Sequence, residues 1–464
     1  MPWSVAQSGE RTIVTRRMYT IDAGGTQAEK YADLPRRMRA QWGISLRLGA
    51  LIGSRSRADL AHMDRPGERE PIILSGSTHR GRESSIDETI SSFNFFVASL
   101  ANFFFFASLN AFSLLPLYIK TLGGTESQIG WIMGSYSLTA ILWQPLAGAF
   151  VDRFGRKRFL LLGSALGLLA SVGFAFSTQM DARFIFFRIL QGIGYSTFYI
   201  ANLTLVAEIV PSHRRGEAVG LFGISGLITI ALSPALGEIV IHRAGYSAFF
   251  LAAAVAAAGC LLTSLAFRNL SATPLKAVSS GPSFLIPSAR ILPPILLTLV
   301  FGLVSGTVFV FLPTYAMQAG LSRIGGFYVA YSVAAIGIRL TCGRLSDRWG
   351  RQRVILPSLL LMGSGTLGLV WLVSPVGLLL VGTLTGMAHG LLFPALSAYA
   401  IDLADSEERG RSIGAFTTAM LLGNALASFI FGMVAEQFGY PMIYLLTSGI
   451  VAITYFVFLR FHRA

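Results

Sequence analysis

From Phe93 to its end, the chain is a succession of apolar runs of about 20 residues separated by short polar loops. A helix needs about 20 residues to cross a hydrocarbon layer of ~30 Å. Lipid offers no partner for an open backbone amide, so such runs are helical. The runs at 93–119, 128–149, 159–178, 183–207, 217–240, 246–267, 292–317, 324–343, 354–373, 376–400, 412–434 and 440–460 predict an all-α membrane protein with twelve transmembrane helices. Composition agrees. Hydrophobic residues make up 53% and charged residues 13%, against about 25% charged in a soluble domain. An ordinary water-soluble enzyme is excluded.

The formal charge is nevertheless +14. Residues 1–90 hold 14 Lys and Arg against 11 Asp and Glu, leaving 23 basic and 12 acidic residues in the apolar body. The basic residues are not gathered beside base-reading or stacking elements, so no nucleic-acid partner is expected. Seventeen of the 23 fall on one side of the spans and four on the other. The positive-inside rule then predicts both termini in the cytoplasm of a cell whose inner membrane holds the chain.

The first 90 residues carry no signal-peptide pattern. They read as a polar, disordered cytoplasmic tail, within which 34–52 has the pattern of a basic amphipathic helix and Met38 and Met63 are alternative starts. Residues 91–268 form a first six-helix bundle, 269–291 a Pro-, Ser- and Gly-rich cytoplasmic linker, and 292–464 a second bundle. Cys260 and Cys342 both lie in apolar segments and offer neither a disulfide framework nor a metal site. No metal, cofactor or nucleotide site is expected; G-x-x-x-x-G-K-[ST] does not occur.

The two bundles repeat one another. Gly148-Ala-Phe-Val-Asp152-Arg153-Phe-Gly155-Arg156-Lys-Arg158 recurs 195 residues later as Gly343-Arg-Leu-Ser-Asp347-Arg348-Trp-Gly350-Arg351-Gln-Arg353. Ser127-Gln-Ile-Gly130 recurs as Ser322-Arg-Ile-Gly325, Leu115-Pro116 as Leu312-Pro313, Glu208 as Asp402, Arg215-Gly216 as Arg409-Gly410, and Gly220 as Gly414. An even number of helices per copy makes the repeats parallel, related by an axis along the membrane normal. In the duplicated loop the first Gly is expected to let two helices approach. The Asp sits where it can accept from a helix N-terminus, and the arginines face acidic groups or anionic headgroups.

On these residues the sequence resembles the major facilitator superfamily, in its twelve-helix drug:proton antiporter-like branch. Arg188-Ile-Leu-Gln191-Gly192-Ile-Gly194 resembles the family's fourth-helix motif. Gly220 with Ser233-Pro234-Ala-Leu-Gly237-Glu238 resembles the fifth-helix motif of exporters, although Ser233 and Glu238 stand where glycines are usual. The resemblance implies two bundles rocking about a central cavity lined by spans 1, 4, 7 and 10. It also implies that Asp152 and Asp347 latch the inner ends of spans 11 and 5, where Arg409 and Arg215 stand.

Helical spacing supplies an independent check on the cavity faces. Arg188, Gln191, Tyr195, Tyr199 and Asn202 share a stripe on span 4; Asn102, Phe106, Asn110 and Ser113 share one on span 1. Thr298, Gly302, Ser305 and Phe309 align on span 7, and Thr385, His389 and Phe393 on span 10. Such a wall suits an amphipathic solute better than a sugar. For any single Asn or Ser, the alternative is an interhelical tie. Charges inside a membrane cost ~2.5–3.5 kcal/mol on insertion scales, so Arg188, Arg339, Glu238 and His389 invite a functional reading. The four cavity spans carry no central Asp or Glu, which leaves Glu238, His389 and Arg339 as the groups for proton coupling.

The expected function is therefore secondary active transport by alternating access: proton-coupled efflux of a small amphipathic compound or metabolite, by a monomer in contact with membrane lipids. The alternatives are uptake of an organic anion paired with Arg188 or Arg339, or a non-transporting receptor on the same fold.

Overall fold

The structure is a computed structural model. It describes residues 6–8, 11–13, 77–210, 215–267, 289–321, 323–343, 345–372, 374–405 and 409–463, with side chains from Phe93 onward except at 207, 215–221, 345, 347, 409 and 461–463. The expected amphipathic segment 34–52, the linker 269–288 and the side chains of Arg215, Asp347 and Arg409 thus lie outside the described residues.

The chain divides into two units, residues 1–76 and 77–464. In the first, β1 (Ala6–Ser8) pairs antiparallel with β2 (Arg11–Ile13), Ala6 opposite Ile13. The polar composition of the tail does not predict this pair.

In the second unit α1 (Ser77–Ala111) passes through a single 3-10 turn, Phe112–Leu114, into α2 (Leu115–Thr121). The helix thus starts in polar sequence ahead of the apolar run. There follow α3 (Glu126–Phe154), α4 (Arg156–Ala175), α5 (Ala182–Ile209) and the long α6 (Arg215–Leu265). The second half comprises α7 (Leu292–Gln318), α8 (Gly325–Cys342), the short α9 (Leu345–Trp349), α10 (Arg351–Gly368), α11 (Pro375–Asp402), α12 (Arg409–Phe438) and α13 (Tyr440–Arg463).

Ten of the described helices are long and apolar enough to cross a membrane. One of them, Phe222–Leu265, has 44 residues, about 66 Å at 1.5 Å per residue or twice a hydrocarbon core. Gly245 divides it with φ 80°, a conformation open to glycine and strained for other residues. With the more polar, 29-residue α3, the helices are consistent with twelve crossings.

Glycine also sets the turns of the repeated loop. Gly155 and Gly350 take φ 90° and 91° with ψ 149° in both. The same left-handed turn therefore joins α3 to α4 and α9 to α10. A side chain at either position would be strained.

Helix alternation puts both loop motifs on one face of the bundle, the motif face; the opposite one is the far face. The halves meet where α3 crosses α12 and where α6 crosses α8. A methyl on Gly130 would collide with the Ser428 carbonyl oxygen, and one on Gly432 would lie 2.8 Å from that of Glu126. These glycines are what let α3 and α12 touch near the far face. One continuous apolar core joins the halves there, taking in Leu114, Leu115, Ile119 and Ile129 with Val308, Leu312 and Phe327. The first half's motif-face core, around Val97, Phe105, Phe159, Phe198 and Leu205, is separate.

One expectation for the loop motif needs correction here. Among the described residues a methyl on Gly148 meets nothing within 4 Å, and one on Gly343 meets only the Arg339 carbonyl of its own helix. Among the described residues neither mediates a helix approach. Tight approaches occur elsewhere, within the halves as well as between them: a methyl on Gly302 would collide with the Met420 carbonyl oxygen.

Overpacking of this kind typically costs about 1–3 kcal/mol. Gly302→Val is therefore expected to lower the apparent melting temperature in detergent by several degrees. Gly449→Val, at a site with open space around it, is expected to leave it unchanged.

Candidate functional site

The central polar group of the first half is built around Arg188 on α5. Its side chain is 3% exposed. The guanidinium lies 4.8 Å from the centroid of the Tyr136 ring on α3 and donates to Gln191 Oε1 at 2.8 Å. Its Nε is buried without an acceptor, and no carboxylate pairs with it among the described residues.

The fourth-span motif has a local reason. Gly192 brings α5 against α3, since a methyl there would sit 2.5 Å from the Tyr136 carbonyl oxygen. Gly194 faces Gly163 of α4 at a similarly close distance. The motif thus places the arginine, its amide partner and the ring it stacks on within one helix crossing.

Below Arg188 the aromatic wall continues. Tyr195 and Tyr199 stack at 5.4 Å and 7°. Phe106 of α1 meets both edge-on at 6.4 and 6.2 Å, and Tyr136 meets Tyr195 at 5.7 Å. A small crevice adjoins this group, lined by Phe105, Ser108, Leu109, Gln191 and Tyr195 among others.

The asparagines and Ser305 take helix partners. Asn102 donates to Ser225 Oγ at 2.8 Å and Asn110 to Thr229 Oγ1 at 2.9 Å, both tying α1 to α6. Asn202, fully buried, donates to the Ala98 carbonyl at 3.2 Å. Ser305 donates to the Phe301 carbonyl of its own helix at 2.9 Å. The α7 stripe also splits, because Gly302 packs on α12.

In the second half His389 on α11 is enclosed by rings. Its Nδ1 is 2.5 Å from the Tyr331 hydroxyl of α8, Phe393 stacks on it at 5.7 Å and 12°, and Phe301 approaches edge-on at 5.1 Å. Arg339, two turns along α8 from Tyr331, reaches across the halves. Its Nη1 would lie 3.1 Å from a methyl on Gly223 of α6, and its Nε is buried without an acceptor. Glu238 is not in this group. It sits at the far face and accepts from the backbone amides of Ile324 and Gly325 at 3.1 and 2.8 Å.

At the motif face, charges pair within each half. Arg156 is hydrogen-bonded to Glu208 at the end of α5, and Arg351 to Asp402 at the equivalent end of α11 at 2.8 Å. Burial pushes the Glu208 carboxyl above the usual carboxylate range, with Arg156 pulling it back. Among the described residues, which exclude the Arg409 side chain, Asp152 makes no cross-half latch. Its side chain is 58% exposed and its carboxylate lies 4.0 Å from Arg156 of its own loop. Arg153 packs over its neighbour Phe154, 5.2 Å from the ring centroid. Arg348 is exposed.

Sequence reasoning missed Tyr136 and Tyr331, whose roles come from neighbouring helices. It also missed Glu436 of α12, which accepts from the Ser127 amide of α3 at 3.0 Å. No group of three His, Cys, Asp or Glu among the described residues is placed to hold a metal ion.

These features have the arrangement of a membrane carrier, and the comparisons agree. The profile of the Major Facilitator Superfamily matches residues 95–376 and 324–464, so the chain belongs to that superfamily. It is a multi-pass membrane protein and a secondary transporter, not an enzyme. Among its relatives, the staphylopine export protein of Staphylococcus aureus is 24% identical over 361 residues, covering 75% of this chain and 90% of its own. The multidrug resistance protein MdtG of Enterobacter lignolyticus is 27% identical, over 74% and 86%. The crystal structure of the nucleoside transporter NupG superposes with TM-score 0.66 at 14% identity, covering 80% of this chain and 99% of NupG.

The two motif-face pairs differ in burial. Arg156 is 5% exposed against 23% for Glu208, whereas Arg351 and Asp402 are 24% and 52% exposed. Removing one partner of a buried pair strands a charge and costs about 3–5 kcal/mol at the upper end, while exposed pairs contribute ~0–1 kcal/mol. Glu208→Gln is expected to depress the melting temperature by many degrees and Asp402→Asn by a few at most.

Proposed function

We propose that the chain exports a small amphipathic compound or metabolite from the cytoplasm by alternating access, driven by proton entry. The observation that carries this reading is the buried, carboxylate-free Arg188 set in an aromatic wall. An unneutralised guanidinium in low dielectric is costly. It favours a solute that brings an anionic or strongly accepting group to the arginine and an apolar body to Tyr195, Tyr199 and Phe106. The names of the relatives, a staphylopine exporter and a multidrug resistance protein, support outward transport.

The motif face is proposed as cytoplasmic, because 17 of the 23 basic residues of the body fall on that side. The chain then sits in the inner membrane as a monomer with both termini inside, and the structure corresponds to the state closed toward the outside. Loop arginines such as Arg153, Arg348 and Arg351 face anionic headgroups. Asp152 and Asp347 are proposed to latch the motif face in the opposite state, with Arg409 and Arg215 beside them.

For coupling, Glu238 is committed to helix amides and Arg339 stays protonated at any physiological pH. His389 is therefore proposed as the proton carrier. It is enclosed by Phe301, Phe393 and Tyr331 here, and it gains a proton when the cycle exposes it.

Everted vesicles with an imposed proton gradient test this with a panel of amphipathic carboxylates and cationic dyes. Solute-dependent proton release from the acidified lumen is expected for at least one carboxylate. Arg188→Gln is expected to lower that flux about tenfold to a hundredfold, the loss of one charge-assisted hydrogen bond. His389→Gln is expected to leave solute exchange running while proton movement stops. Uptake in the opposite direction favours the organic-anion importer, and unchanged flux in Arg188→Gln removes the arginine from the site.

A further inference from the structure

We propose that the far face is held shut by two carboxylates, Glu238 and Glu436, each of which caps the first turn of a helix belonging to the other half. Glu238, on α6 of the first half, accepts from the amides of Ile324 and Gly325 at the start of α8, at 3.1 and 2.8 Å. Glu436, on α12 of the second half, accepts from the Ser127 amide at the start of α3 at 3.0 Å. The pseudo-twofold axis relates α6 to α12 and α8 to α3, so one device occurs twice.

Local chemistry explains why these amides need a partner from outside. The first amides of a helix have no acceptor within it. The residue before α8, Ile324, has no side-chain acceptor to offer, and that helix has no cap of its own. At α3, Thr125 and Gln128 cap one another's backbone amides, and this leaves the Ser127 amide to Glu436. In both places a carboxylate also meets the positive end of the helix dipole.

The surroundings fit a gate. Beside Glu436, Lys120 lies 2.6 Å from Glu126, and the Tyr440 hydroxyl donates to the same carboxylate at 3.1 Å, a second tie from the first half to the second. Beside Glu238, a cavity at the junction of the halves is lined by Leu114, Tyr246, Pro313 and Met317 among others. Opening the far face must part α6 from α8 and α3 from α12, and so strips both caps together. Glu238 stands where glycine is usual in the fifth-helix motif of exporters, so on α6 the latch is supplied by a departure from that motif.

The test uses full-length protein in nanodiscs, on a Cys260→Ser, Cys342→Ser background. Spin labels at Thr121 and Gln318 report the far face, and labels at Arg158 and Arg353 report the motif face. Glu238→Gln keeps the shape and removes the charge. It is expected to raise the fraction with the far face open about tenfold, and Glu436→Gln, with one amide and an exposed side chain, about threefold. The double variant is expected to show roughly the product of the two effects. In each case motif-face distances are expected to shorten in step, because the two faces are alternatives of one motion. Far-face distances that stay unchanged overturn the proposal. So does broadening at both faces together, which reports loosened packing instead of a released latch. Neither outcome bears on Arg188 or on the direction of transport.

Discussion

A hydrocarbon layer supplies no hydrogen-bond partner to a peptide group, and every other feature of this chain works inside that constraint. It forces the backbone into helices that pair their own amides. It leaves only the helix ends and the side chains to make connections between helices. The ends therefore carry much of the specific chemistry: the loop turn at Gly155 and Gly350, the Arg156–Glu208 and Arg351–Asp402 pairs, and the caps on α3 and α8. Within the membrane, close helix approach depends on small residues, as at Gly130, Gly192 and Gly302.

The same constraint sharpens what Arg188 can be. An exposed arginine in a soluble protein needs no explanation. A buried one, stacked on Tyr136 and giving one hydrogen bond to Gln191, leaves donors unused in a medium where each unused donor is expensive. Asn102, Asn110 and Asn202 all find acceptors on adjacent helices. The buried Nε of Arg188, like that of Arg339, has no acceptor, and in the proposed function a transported solute supplies the partner.

Much of this is legible in the order of the residues alone. Run length and alternation locate the spans, and the self-similarity of the two halves locates the loop motif, because both depend on period and position along one chain. The span 4 stripe is legible for the same reason: Arg188, Tyr195 and Tyr199 do lie together. What spacing along a helix does not encode is which face meets which neighbour. Asn102 and Asn110 share a stripe with Phe106, yet they turn to α6 while Phe106 meets the tyrosines. Glu436 gives no signal in its own helix, since its meaning comes from an amide more than 300 residues away in sequence. Gly148 departs from its expected role because no described neighbour comes within 4 Å of a methyl placed on it, which position along one helix does not encode.

State dependence also explains the asymmetry between the faces. Two bundles that rock about a fixed centre cannot keep both ends closed, so contacts that stabilise one end compete with those at the other. Here the far end holds the continuous apolar core and both carboxylate caps, two further cross-half hydrogen bonds, Ser137 to Asn424 and Gln144 to Thr417, lie deeper along α3 and α12, and Arg156 and Arg351 of the motif face each pair with a carboxylate of their own half. The Arg156–Glu208 and Arg351–Asp402 pairs each lie within one half and move with it. Among the described residues the exposed Asp152 has no ion-pair partner beyond Arg156 at 4.0 Å, in keeping with the latch proposed for the closed form of that face. A carrier balanced in this way needs only small differences between its states. Those differences are on the scale of a helix cap or a single ion pair, about 0.5–3 kcal/mol, which is also the scale on which one bound solute or one proton can act.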